Sequence, residues 1–227
     1  MQLSPIQHDR PLDEFNRLLG FTGEPISICA RISEIPSIRD ATALATEVQQ
    51  IILALDRCEP HRAVARHTFP SGTDPRAVFA LENTAAVYRS AAFLYLHSVL
   101  RRMRVRGSVA PRLHAALVAA VPVEKAGALA RCVALVERCG VEQPRSELNA
   151  LIFPLFLIGC ERETGAQEAL VLRVLTRMER KSGFGNVSEA KRILRHVWDC
   201  SLVGSEDAER LHWLDIVAEF DGEVAIM

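Results

Sequence analysis

Residues 84–100 read TAAVYRSAAFLYLHSVL, and this stretch decides the fold. On a helix it is apolar on nearly every side, so the helix belongs at the centre with others packed around it. Asp74-Pro75 upstream is a start signal, because proline suits the first helical turn. Arg101, Arg102, Arg104 and Arg106 crowd the far end, where cations face the negative pole of the helix dipole. The spacing therefore predicts one helix from Pro75 to about Arg104, roughly 45 Å long.

Working outward, cap and stop signals divide the rest of the chain into further helices. Asp13–Leu19 ends before Gly20, and Pro25–Glu34 begins with a first-turn proline. Ser37 is read as the cap of Ile38–Cys58, where Leu44, Val48, Ile51, Ile52 and Leu55 fall at helical spacing. Beyond the central helix come Pro111–Val121, Val123–Cys139, Ser146–Glu163 and Gln167–Lys181. Asn186 and Ser188 are read as caps of a helix leading to Trp198 and Cys200, and Asp207–Phe220 is the last segment. Alternation with period two appears at most in the apolar tail, and there is neither a repeat nor a low-complexity stretch.

Composition agrees. Hydrophobic residues make up 49% of the 227, but aromatic residues only 6%, so Ala, Leu and Val carry the apolar mass and favour helix over sheet. The expected architecture is all-α: a single domain over 1–227, an irregular bundle of about ten helices around the long central one.

Charge and cysteine usage narrow the function. Lys+Arg is 27 against Asp+Glu 28, for a net charge of −1, whereas domains that bind nucleic acid through their own surface are usually basic. No direct DNA binding by this chain is expected. The six cysteines, at 29, 58, 132, 139, 160 and 200, form no C-x₂-C pair, so no metal and no cofactor are expected. The N-terminus lacks a signal-peptide pattern, and the longest apolar run, Ala150–Cys160, is broken by Pro154. A soluble intracellular protein, neither secreted nor membrane-bound, is the expectation.

Catalytic signatures such as G-x-S-x-G, the P-loop and H-E-x-x-H are absent. The candidate site residues are instead polar groups embedded in apolar sequence: Tyr88, Arg89, Tyr95 and His97 on the central helix, with Glu161 beyond Pro154. Inside a helix a proline removes a backbone hydrogen bond, so a kink is expected at Pro154. Buried polar groups must find partners, and so either pin helices together or line a cavity. Tyr88 and Tyr95 are seven apart and share a face, while Arg89 and His97 fall on others, so at least one of the four is a strut. If the site performs chemistry, His97, Tyr95 and Glu161 would carry it, with His97 moving the proton.

Three stretches, taken in order, resemble the fungal-specific transcription factor domain, the regulatory region that follows a Zn₂Cys₆ cluster. They are AAVYRSAAFLYLHSVL at 85–100, LNALIFPLFLIGCERE at 148–163, and SGFGNVSEAKRILRHVWD at 182–199 followed by WLDIVAEFDGEVAIM at 213–227. RLLGFTGEPISICARISEI at 17–35 is similar to the segment that opens the domain, so the likeness runs over about residues 15–227. It implies an all-helical regulatory domain that senses a small-molecule effector or a protein partner and works in the nucleus, with pairing of two copies left open.

The cysteine cluster and basic linker that precede the domain in its relatives are not in this sequence. Two readings follow. One is the regulatory half of a zinc-cluster transcription factor. The other is a stand-alone, cytoplasmic descendant that binds or transforms a small metabolite, as a secondary-metabolism enzyme or cyclase would; the initiator-like Met1 and the natural-looking tail favour it, the absence of a catalytic set counts against it, and the first reading is preferred.

Overall fold

Nine α-helices carry most of the described residues, which in this computed structural model are 15–16, 21–22, 24–58, 75–142, 150–182, 185–202 and 212–219. In chain order they are α1 (Glu24–Glu34), α2 (Ala41–Arg57), α3 (Pro75–Val105), α4 (Pro111–Ala120), α5 (Lys125–Glu142), α6 (Ile152–Cys160), α7 (Gly165–Ser182), α8 (Gly185–Leu202) and α9 (Trp213–Glu219). A 3₁₀ turn, Ile35–Ser37, links α1 to α2. The fold is all-α, as its composition and cap signals predict.

The central position of α3 follows from its composition. Every residue from Ser90 to Leu100 is buried, and α1, α2, α4, α5 and α6 all pack against this helix. Phe93, Leu94, Leu96 and Leu100 sit in one continuous core with Ile32 of α1, Leu55 of α2, Leu129 of α5 and Leu155 of α6. Each such side chain contributes about 1.5–3 kcal/mol by leaving water. The helix stops where its sequence says it should. Gly107 takes a φ of +67°, which a residue without Cβ adopts freely, and Ser108 N donates to Met103 O at 2.9 Å to close the turn.

Four expectations change. Phe15–Asn16 is not helical but pairs antiparallel with Phe21–Thr22, in register Phe15↔Thr22 and Asn16↔Phe21. A helix as short as Asp13–Leu19 is unstable without partners, and the aromatic and β-branched residues flanking Gly20 suit a strand pair. Second, Asp40 rather than Ser37 caps α2, accepting from Ala43 N at 2.6 Å, while the Ser37 hydroxyl donates to Glu34 O.

Third, Pro154 makes no kink. It lies in the first turn of α6, where the missing N–H would have no partner in any case. Residues 146–149 of the expected Ser146–Glu163 helix lie outside the described residues. Fourth, the hydroxyl of Ser188 does not cap α8 but donates to Glu179 of α7 at 2.6 Å. The start of the expected Asp207–Phe220 helix and the apolar tail also lie outside the described residues.

Two local devices set the packing around α6. Thr164 and Gln167 form a reciprocal cap at the start of α7: Gln167 N donates to Thr164 Oγ1, and Glu163 N and Thr164 N donate to Gln167 Oε1. Gly159 lets α8 lie close against α6, for a Cβ there would meet Leu194 Cδ2 at 2.6 Å. Trp198 of α8 uses that proximity to donate its indole N–H to Gly159 O at 2.9 Å.

Candidate functional site

Glu161 closes α6 and is 4% exposed. A carboxylate so placed needs partners, and it has three from three other helices. Ser98 of α3 donates to Oε1 at 2.5 Å, the indole N–H of Trp213 in α9 donates to the same oxygen at 2.6 Å, and the Lys125 ammonium at the head of α5 lies 2.6 Å from Oε2. One buried carboxylate thus ties four helices together. Burial pushes its pKa up, but the Lys125 charge and hydrogen bond, with those from Ser98 and Trp213, more than offset this and hold it below the usual carboxylate range. Lys125, with 31% of its side chain exposed, is where the junction meets solvent.

An aromatic wall runs beside this junction. Tyr88 and Tyr95 both pack on Phe153 of α6, at ring-centroid distances of 6.4 and 5.8 Å, so the seven-residue spacing does put them on one face. Tyr95 then meets Trp213 at 6.4 Å, and Phe156 meets the same indole edge-on at 6.0 Å. Burial, reinforced by nearby Cys29 and opposed by Arg102, pushes the Tyr95 phenol up to about 12, so it stays protonated and able to donate.

The other two candidates from the central helix point elsewhere. His97 bonds through Nε2 to Val123 O at 2.7 Å and holds the turn before α5. Since that acceptor is a carbonyl, Nε2 carries the proton. Arg89 donates from Nε to Leu55 O at 2.6 Å, pairs with Asp56 at 3.3 Å, and lies over the Phe93 ring. Its cation sits at the C-terminal end of α2, where exposed carbonyls and the helix dipole favour it. Of the five sequence candidates, Tyr88 and Tyr95 share one aromatic wall, Trp213 links Tyr95 to Glu161, and Arg89 and His97 are turned to α2 and to the turn before α5.

Helix α9 is held by a second ionic contact. Asp215 pairs with Arg102 at 2.6 Å and also with Arg106, so two of the four clustered arginines at the end of α3 are engaged there. Just before α9, His212 is 5% exposed and stacks on Trp213 at 5.7 Å. Its Nδ1 accepts from Leu214 N at 3.2 Å, and its Nε2 has no hydrogen-bond partner among the described residues. Burial lowers its pKa to about 4, helped by Arg101 and Arg102 and opposed by Glu161 and Asp215.

Sequence reasoning did not single out Ser98, Lys125, His212 or Asp215. The pairing partners lie up to 113 positions apart, and helical periodicity carries no information on that scale. Trp213 was legible only as part of the family likeness. Among the described residues there is no group of three or more His, Cys, Asp or Glu side chains placed to hold a metal ion, and no single helix is long and apolar enough to cross a membrane.

A family model described as the fungal specific transcription factor domain matches residues 3–227. No curated protein and no solved structure matches the chain.

Proposed function

The chain belongs to the fungal specific transcription factor domain family, a family of transcription-regulatory domains, and on that premise we propose that it is a sensing module that acts in the nucleus. It takes up a small-molecule effector or a protein partner and passes the event to an activity elsewhere in the transcription machinery. The observation that carries this reading is the Glu161 junction. A buried, fully hydrogen-bonded carboxylate joins α3, α5 and α6 to the C-terminal helix α9, and a partly exposed lysine gives it access to solvent. A ligand that bears on Lys125 or on the Tyr95–Trp213 contact would change how α9 sits on the core, since polar junctions in a low-dielectric interior have few alternative arrangements.

In this reading Tyr88, Tyr95, Phe153 and Trp213 supply the apolar wall that ligand sites generally have, and Glu161 and Lys125 supply the placed polar groups. Arg89 and His97 act as struts that hold α3 to its neighbours. Trp213 is its own reporter, because Trp198→Phe leaves it as the sole indole of the chain. The test is to titrate that variant with low-mass and macromolecular fractions of fungal cell extract, reading Trp213 emission and melting temperature. The reading expects at least one fraction to shift both, and it expects Tyr95→Ala, which takes away the ring beside Trp213, to remove the shift. Emission and melting temperature unchanged by every fraction would remove the sensing role.

A further inference from the structure

The corner where α3 turns into α4 carries charge with no counterpart. From residue 83 to 123 the chain contains no Asp or Glu, but six arginines and two histidines. Arg89 is engaged by Asp56, and Arg102 and Arg106 are engaged by Asp215. Arg101, Arg104 and Arg112 are exposed, and none has an ion-pair partner among the described residues. In a chain of net charge −1 this is a local concentration of positive charge that no carboxylate among the described residues neutralises.

The exposed face of α4, which Arg112 heads, is apolar. A helix at the surface normally turns charged and polar side chains to water. Helix α4 does not: Leu117 is its buried residue, and its exposed residues are Pro111, Arg112 and four alanines, among them Ala116 and Ala119. Val105, at the end of α3, is also apolar and 39% exposed. Small side chains let another backbone approach closely, and a rim of three arginines selects the sign of the charge that approaches.

We propose that this α3–α4 corner is a docking surface for an acidic amphipathic helix of a partner protein, its carboxylates on Arg101, Arg104 and Arg112 and its apolar face on α4. Charge complementarity fixes the sign of the occupant, and the apolar seat fixes its class. A nucleic acid would meet the arginines, but the alanine face offers it neither phosphate contacts nor an aromatic platform. The surface uses neither Glu161 nor Trp213 nor any of the aromatic wall; of its three arginines Arg101 alone also acts on His212 beside Trp213, so Arg104→Glu with Arg112→Glu tests the surface apart from the sensing site.

The test uses the whole chain and a fluorescein-labelled helical peptide of Glu, Leu and Ala, read by anisotropy, beside a labelled duplex DNA of arbitrary sequence. The wild-type chain is expected to bind the peptide with salt-dependent affinity and the DNA at least about tenfold more weakly. Reversing the corner (Arg101→Glu, Arg104→Glu and Arg112→Glu together) should weaken the peptide by at least about tenfold while the helical circular dichroism is kept, with only a small fall in melting temperature from placing carboxylates at the negative pole of α3. Arg173→Glu with Arg180→Glu, exposed on α7, should leave binding unchanged. Ala116→Lys with Ala119→Lys is the decisive variant: it adds positive charge but spoils the seat, so binding should weaken.

Tighter binding by that lysine variant would mean a purely ionic contact and overturn the proposal. So would peptide affinity unaffected by the triple reversal, DNA bound more tightly than the peptide, or self-association of the wild-type chain abolished by the same reversal.

Discussion

Replacing Glu161 by alanine removes the acceptor on which four helices converge, and the cost can be worked out partner by partner. Ser98 is not stranded, because its one hydroxyl proton can turn to Leu94 O, 3.0 Å away. Lys125 is not stranded either, since 31% of its side chain reaches solvent and the ammonium can turn to water. Trp213 is: its indole N–H is enclosed with no other acceptor among the described residues, and an unmade buried hydrogen bond costs about 1–3 kcal/mol. The space left by the carboxylate adds about 1 kcal/mol. Glu161→Ala should therefore cost about 2–4 kcal/mol, at or below the range of about 3–5 kcal/mol for breaking a buried ion pair, because the lysine is partly exposed. Glu161→Gln keeps an oxygen for Trp213 and Ser98 and should cost about half as much. Urea unfolding followed by far-ultraviolet circular dichroism measures both. In a Trp213→Phe background, where the stranded donor is gone, Glu161→Ala should cost about 1–2 kcal/mol less. A loss for Glu161→Ala under about 0.5 kcal/mol, or one equal in the two backgrounds, would refute the junction as the tie between α9 and the core.

Other perturbations test other parts of the molecule. His212 is neutral in the fold down to about pH 4, but takes up a proton below its ordinary value of 6.5 when unfolded. Its contribution is therefore complete above pH 6.5 and declines by about 3 kcal/mol as pH falls to 4, and His212→Gln should flatten unfolding free energy across that window. Glu161 adds a second acid loss at lower pH, because a depressed carboxyl stabilises only while it stays ionised. Phe93→Ala and Phe156→Ala, in side chains 1% and 3% exposed, should each cost about 3–5 kcal/mol, and a melting temperature within a degree or two of the parent would misplace α3 or α6. Gly159→Ala drives a methyl against Leu194 and should cost about 1–3 kcal/mol in the same unfolding measurement; no loss would mean that α6 and α8 are not in close contact.

The fold was legible where composition alone decides it. A segment apolar on every side, bracketed by Asp74-Pro75 and Gly107, admits one interpretation, and α3 matches it to within a residue at its C-terminal end. Caps were legible as types but not always as positions, since Ser37 and Asp40 are both competent and only the backbone geometry decides between them. Pro154 misled because its effect depends on where the helix starts, and that start is set by packing. At the site, spacing paired Tyr88 with Tyr95, and burial logic pointed to Glu161. It could not supply their partners. Ser98 and Trp213 lie 63 and 52 positions from Glu161, and only the tertiary path of the chain brings them to one oxygen.

The most direct test of a regulatory function is transcription itself. The chain is fused to an unrelated DNA-binding domain in a fungal host, and reporter transcript is measured across growth conditions for the wild type and for Trp213→Ala. The wild-type fusion is expected to change reporter transcript relative to the DNA-binding domain alone, in a manner that depends on growth condition, and Trp213→Ala to lose the dependence while the fusion is still present in the cell. Transcript equal to that of the DNA-binding domain alone in every condition would contradict it.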